Sequence, residues 1–272
     1  ALAGGIVVLL FLIVGCLAPV IAPHDPLEVN VSIRLQGPSQ EYWLGTDHLG
    51  RCILSRLLYG AQTTLLNSLV VLAGILLIGI PLGLISGFCG GWIDNLIMRF
   101  ADIVSTFPSS LLALAVVSVF GAGLQNVMIV LVALWWAPFA RILRSQVLKI
   151  KEKDFVMAAK ASGTSKFKIV INHVLLNSIS PIIVYSTLRV AAVIMHIASF
   201  SFIGLGTQPP AADWGVMLSD SKQFISTAPL MMIWPGLSIM LVVFSLNMFG
   251  EGLNEALMPG GNKKAKQLGD GE

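Results

Sequence analysis

KDFVMAAKASGTSKFKIVINHVLLNSISP, residues 153–181, is a lysine-rich, alanine-rich and polar stretch inside a chain that is otherwise close to hydrocarbon. Of 272 residues, 56% are hydrophobic and 11% are charged, against roughly 25% charged in a soluble domain. So little charge cannot cover a globule with polar surface. On either side of the quoted stretch the chain runs for long distances without Asp, Glu, Lys or Arg: 2–22, 57–93, 103–140, 190–212 and 223–250. About 20 apolar residues cross the hydrocarbon core of a bilayer, so these runs predict membrane spans.

The run 103–140 is too long for one helix, and FGAGLQN in its middle supplies a glycine-rich turn, which divides it in two. The expectation is an all-α polytopic membrane protein with six spans, 2–22, 66–88, 98–120, 124–144, 179–203 and 228–250, forming one domain over 1–272. The first span lacks a basic n-region and a small-residue cleavage site, so it reads as a helix and not a signal peptide. Residue 1 is Ala, and further N-terminal residues are expected ahead of it.

Orientation follows from the basic residues. Arg141, Arg144, Lys149, Lys151, Lys153, Lys160, Lys166 and Lys168 lie at or beyond the end of the fourth span, and Lys263, Lys264 and Lys266 lie in the tail 251–272. The positive-inside bias places both regions, and with six spans both termini, in the cytoplasm. The segments 23–60 and 204–227 then face outward. The net charge of +3 reflects this asymmetry and implies no nucleic-acid partner. Cys16, Cys52 and Cys89 have no paired spacing, so neither a disulfide framework nor a zinc cluster is expected.

Within the loop 145–178, a helix capped by Asp154 places Phe155, Ala158, Ala159 and Ser162 at i, i+3, i+4 and i+7. One aromatic and three small residues on one face permit another backbone to approach closely. Gly163 ends this helix where a left-handed residue is wanted. Thr164 or Ser165 starts a second one that leads through Asn177 and Pro181 into the fifth span. Too short and too polar for lipid, such a helix suits a groove on a soluble partner.

The fifth span carries Arg189 and His196, seven residues and so about 20° apart around the helix, with Tyr185 and Phe200 on the same face. Ionisable residues within a membrane are costly and must face protein or a water-filled path. Two readings stand: Arg189 pairs with a carboxylate or carbonyl while His196 bonds between helices, or the stripe lines a translocation path. Met195 and His196 offer thioether and imidazole, ligands suited to nickel, cobalt, zinc or copper. A guanidinium about 10 Å along the helix repels a bare divalent cation and attracts carboxylates.

AAKASGTSKFKIVINHVLLNSISP resembles the coupling loop of the membrane subunits of bacterial ABC importers, in which Glu-Ala-Ala, a Gly four residues on and a later His-x-Leu-Pro-Asn dock on the ATPase. Ala158, Ala159, Gly163, His173 and Asn177 match; Met157 stands for the usual acid and Leu176 for the usual proline. WLGTDHLGRCILSRLLYGAQTTL, GGWIDNLIMRFADIVSTFPSSLLAL, FSFIGLGTQPPAADWGVML and TAPLMMIWPGL are similar to the C-type permease subunits of dipeptide, oligopeptide and nickel importers. Cys52 stands where that family usually has an acid, and the Met-His pair at 195 and 196 is closest to the nickel branch.

The resemblance implies the type I importer permease fold and a multi-pass place in the bacterial inner membrane. It implies that Asp154, Phe155, Ala158, Ala159, Ser162, Gly163, His173 and Asn177 couple to two ATP-binding subunits. A homologous second permease completes the pore, and an extracytoplasmic binding protein delivers a peptide, or a transition metal as a chelate. The chain has no GxxxxGK[ST], so ATP and Mg belong to the partner subunits and this chain needs no cofactor and is no enzyme. It has no HExxH and no GxSG, against an intramembrane protease. A channel or ion-coupled carrier has no use for the coupling loop, and Asp102 is the one acid placed for an intramembrane proton relay.

Overall fold

The computed structural model describes residues 1–257. Lys263, Lys264 and Lys266 of the basic tail lie outside the described residues. Among the described residues ten α-helices follow one another: α1 (Leu2–Ile21), α2 (Ile53–Cys89), α3 (Gly91–Thr106), α4 (Ser109–Phe120), α5 (Leu124–Ile150), α6 (Asp154–Ala161), α7 (Lys166–Lys168), α8 (Leu176–Phe202), α9 (Trp214–Ser221) and α10 (Leu230–Leu257). A π-helical segment, Ile169–Leu175, joins α7 to α8. Among the described residues β-structure is limited to one isolated bridge, between Thr46 and Cys52.

Five helical stretches are long and apolar enough to cross a membrane, and the bent pair α3 and α4 makes six when counted as one span. That pair departs from the single helix expected over 98–120. Its two parts meet at 79°. Phe107 is extended, with φ −81° and ψ 121°, because Pro108 clashes with a helical residue before it. Pro108 also has no N–H to continue the helical ladder. The fifth span also begins earlier than expected, since helical backbone runs from Lys166 to Phe202. Ile169 and Val174 are buried against the bundle, and that packing holds as helix a stretch too polar to be read as membrane-spanning.

At the centre, α2 packs on α1, α5 and α8, while α8 also packs on α5, α9 and α10. The tightest seam has a simple cause. Gly79, Gly83 and Gly87 recur every four residues on one face of α2, and a Cβ on Gly83 would stand 2.7 Å from the carbonyl oxygen of Ala140. Small residues at this spacing let two membrane helices touch backbone to backbone. Val71 and Ile75 of α2, Leu131, Phe139, Leu143 and Val147 of α5, and Ile182, Val193 and Ile197 of α8 fill the adjoining core.

At the end of the bundle that carries the lysine-rich loop, Arg144 clamps Asp94 through Nε and Nη2, both at 2.5 Å. Ser86 donates to the same carboxylate. The two residues tie α3 to α5. Arg141 itself donates to Asp102 at 2.9 Å.

Candidate functional site

The helix expected to couple starts one residue earlier than its sequence suggested. Lys153, extended at φ −75° and ψ 147°, is the cap, without a side-chain bond, and Asp154 is the first helical residue. The amides of Val156 and Met157 both donate to the Lys153 carbonyl. Met157 is therefore the fourth residue of α6, so it does not occupy the position from which an acid would close a capping box. Val156 explains the shift: it is fully buried in the main core cluster, and seating it fixes where the helix begins.

Burying Val156 turns Phe155, Ala158 and Ser162 outward, with Phe155 44% exposed. Ala159, expected on the same face, is half-buried and packs against the core cluster. Gly163 ends α6 at φ +78°, with its amide donating to the Lys160 carbonyl and that of Thr164 to the Ala159 carbonyl. Ser165 then caps α7, accepting from the Lys168 amide at 3.4 Å. Further on, Asn177 donates to the His173 carbonyl at 2.6 Å, and the His173 ring lies 6.5 Å from that of Phe155. The segment is thus a hydrogen-bonded elbow that leaves Phe155, Ala158 and Ser162 exposed.

The polar stripe of α8 faces α5. Arg189 donates to the Tyr185 hydroxyl through Nε at 2.7 Å and also through Nη2. Its guanidinium carbon stands 5.3 Å from the centre of the Trp135 ring and 4.8 Å from that of Tyr185. Among the described residues no carboxylate pairs with it. Cation–π contact with two rings supplies part of what a counter-ion would. His196 bonds the Ala192 carbonyl through Nδ1 at 2.9 Å and sets its ring edge-on to Trp135, 4.6 Å between centroids. Trp135, which the sequence reading passed over in WWAPF, therefore links the two ionisable residues.

The stripe divides here. Met195, His196 and Phe200 line a cavity of about 730 Å³, together with Ser110, Met232 and Ile239, whereas Tyr185 and Arg189 are not among its lining residues. The cavity is walled mainly by apolar side chains. Its polar groups are the His196 imidazole and the hydroxyls of Ser110 and Ser199. Among the described residues no three His, Cys, Asp or Glu side chains are grouped to hold a metal ion.

At the far end of the bundle lies a network of buried charge that the sequence reading did not find. Arg51 Nε bonds Asp47 at 2.6 Å and its Nη2 bonds Asp220 at 3.1 Å. Arg56 lies 3.7 Å from Asp47 and donates to the carbonyls of Pro26 and Pro210 at 3.1 and 3.3 Å. Asp213 caps α9 by accepting from Gly215 and Val216. Burial pushes its carboxyl above the ordinary value, against the opposing pull of those backbone donors. Trp214 Nε1 donates to the Leu57 carbonyl at 3.1 Å. These contacts bind segment 23–52, the start of α2 and segment 204–221 into one cap. Cys52 is the cap residue of α2 and provides no side-chain bond there. That is the bond an acid at this position would make.

Residues 79–260 match the family described as the binding-protein-dependent transport system inner membrane component, and residues 1–38 match the N-terminal TM domain of oligopeptide transport permease C. The chain is 46% identical over 95% of its length to the dipeptide transport system permease protein DppC of Alkalihalophilus pseudofirmus, covering 85% of that protein. It is 39% identical over 87% of its length to the nickel transport system permease protein NikC of Escherichia coli strain K12, covering 86%. The glutathione transport system permease protein GsiD of Pectobacterium atrosepticum is 40% identical over 95% of the chain, with 86% of that protein covered. In fold it resembles the inward-facing MetNI methionine ABC transporter, with a TM-score of 0.60 at 19% identity over 76% of this chain and 98% of that one. These matches establish that the chain belongs to the binding-protein-dependent inner membrane component family, as a C-type ABC importer permease, a transport subunit and not an enzyme.

Proposed function

We propose that this permease forms half of a pore for di- and oligopeptides, completed by a homologous second permease, with two ATP-binding subunits beneath the pair, one of them docked on α6 of this chain. The observation that carries the reading is the open face of Phe155, Ala158 and Ser162, held at a fixed height by the buried Val156. ATP and Mg belong to the docked subunits. The elbow end faces the cytoplasm of the bacterial inner membrane, in keeping with the basic residues gathered there. The capped far end, segments 23–52 and 204–221, receives the extracytoplasmic binding protein. Closure of the ATPases moves α6, and the rigid seam of α2 and α5 transmits that motion to the path between the two permeases.

Cargo of the peptide class is supported by the similarity to dipeptide and glutathione permeases and by Arg189, whose guanidinium has no carboxylate partner among the described residues. A second reading, a chelated transition metal, rests on Met195 and His196 lining one cavity and on the similarity to a nickel permease. Uptake of labelled dipeptide and of radiolabelled nickel by the reconstituted complex separates the two. A charge-assisted contact contributes about 1.5–3 kcal/mol, so Arg189→Gln is expected to lower dipeptide uptake about ten- to a hundredfold. His196→Ala is expected to leave it within about twofold. Nickel uptake that collapses in His196→Ala, with dipeptide uptake absent in every variant, favours the second reading. Full activity of both variants toward both cargoes removes the stripe from the path.

A further inference from the structure

Beside the elbow, and sharing neither Phe155, Ala158 nor Ser162 with its open face, lies a cleft of about 560 Å³. Lys151, Lys160 and Lys166 line it with Thr164, over a floor of Phe88, Cys89 and Ile169. Lys151 donates to the Gly87 carbonyl at 3.0 Å, which leaves two of its three N–H bonds to offer. Among the described residues none of the three lysines is ion-paired. Three like charges around one cleft repel one another, and the arrangement is relieved by an anion.

Two further features fix the level of this cleft. Ile85, one turn before its floor, is 45% exposed on the apolar flank of α2, and Trp92, just past the floor, is 73% exposed. Exposed Trp residues sit at the headgroup level of a bilayer. The cleft therefore opens where hydrocarbon gives way to headgroups, with an apolar floor and a cationic rim. An amphiphile with a phosphate fits both parts. Basic pockets between helices at a membrane surface bind such headgroups in general.

We propose that this cleft binds the phosphate headgroup of an anionic phospholipid, which ties the coupling segment to the ends of α2 and α5. Lys160 and Thr164 belong to the elbow, while Phe88 and Lys151 belong to the ends of the helices beneath it. A bound headgroup neutralises the lysines on both sides at once and braces α6 at the height where its partner must find it. The lipid is then a structural component of coupling, and the motion of the elbow depends on membrane composition.

Cys89 is exposed and lines the cleft, which makes it the reporter. In the detergent-purified, fully assembled complex, the rate of Cys89 alkylation is followed by mass spectrometry during titration with short-chain phosphatidylglycerol. Phosphatidylcholine of the same chain length and inorganic phosphate serve as comparisons. Phosphatidylglycerol is expected to slow Cys89 about tenfold or more; at the same concentrations neither comparison compound has that effect. Each lysine near a lipid surface is worth about a fivefold change in affinity, so the Lys160→Gln, Lys166→Gln double variant is expected to need about twenty-five times more lipid. Both side chains are exposed, so the fold does not depend on them. Equal protection by phosphatidylcholine, protection by inorganic phosphate alone, or a lipid effect unchanged in the double variant overturns the proposal. So does a Cys89 that is blocked before lipid is added and freed when the ATP-binding subunits are removed, since a protein then fills the cleft.

Discussion

Asp47→Ala is expected to destabilise the far-end cap by about 3–5 kcal/mol, the cost of removing one partner from a buried ion pair. The Asp47 carboxylate accepts from Arg51 Nε at 2.6 Å and from the amides of Leu49 and Arg51 at 2.8 and 2.9 Å. It is also the one carboxylate within ion-pair distance of Arg56 among the described residues. Without it, two buried guanidinium groups repel each other, one left with Asp220 and the other with backbone carbonyls alone. Asp220 is 20% exposed and makes one bond to Arg51, so Asp220→Ala is expected to cost about 1 kcal/mol, as for a partly solvated pair. Thermal unfolding of the purified complex, with limited proteolysis across residues 23–52, ranks the two variants. An Asp220→Ala complex that is the less stable of the pair contradicts this account of the cap.

Ala158→Trp is expected to weaken binding of the ATP-binding subunits about ten- to a hundredfold while the permease stays folded. Overfilling a close-packed contact costs about 1–3 kcal/mol, which gives that range of affinity. The side chain at 158 is exposed, so the larger ring disturbs the contact and not the bundle. Ala159→Trp is a poorer probe, because Ala159 packs against the core and the ring must displace its neighbours. Gly163→Val provides a second test through the backbone. At φ +78° a β-branched residue is strained by about 1–3 kcal/mol, which displaces the C-terminal end of α6 and with it Ser162. Pull-down of the ATP-binding subunits, with thermal stability of the permease as control, measures both. Undiminished binding by Ala158→Trp means that this face is not the docking surface.

The membrane spans were legible because charge is excluded from lipid, and a run such as 223–250 without a single Asp, Glu, Lys or Arg has one physical meaning. Gly163 was legible for a similar reason, since a helix of small residues followed by Gly has one common way to end. The bend at Phe107 and Pro108 was encoded as well, but a hydropathy window as long as a span averages over it and over the uncharged Ser and Thr residues that flank Pro108. The register of α6 was not legible, because it is set by Val156 reaching a core made of residues from α2, α5 and α8. The role of Trp135 was hidden for the same reason: nothing in WWAPF, residues 135–139, says which indole meets a guanidinium of α8. Least legible was the cap network. Arg51 and Asp220 stand 169 residues apart in sequence, and no periodicity connects them. The fold alone brings Asp47, Asp220 and two proline carbonyls around the arginines of that network.

The central claim is that α6 enters a groove on the ATP-binding subunit, with Phe155, Ala158 and Ser162 as the contact. Ser162→Cys tests it most directly, since Ser162 is exposed in the permease and a cysteine adds little bulk. Its alkylation rate is measured in the permease pair alone and in the complex with the ATP-binding subunits bound. The account predicts a rate at least about tenfold slower in the complex, the protection given when about 1.4 kcal/mol or more of binding free energy must be undone before reagent can enter. A Ser162→Cys that reacts equally fast in both, in a complex that still couples ATP hydrolysis to transport, contradicts it.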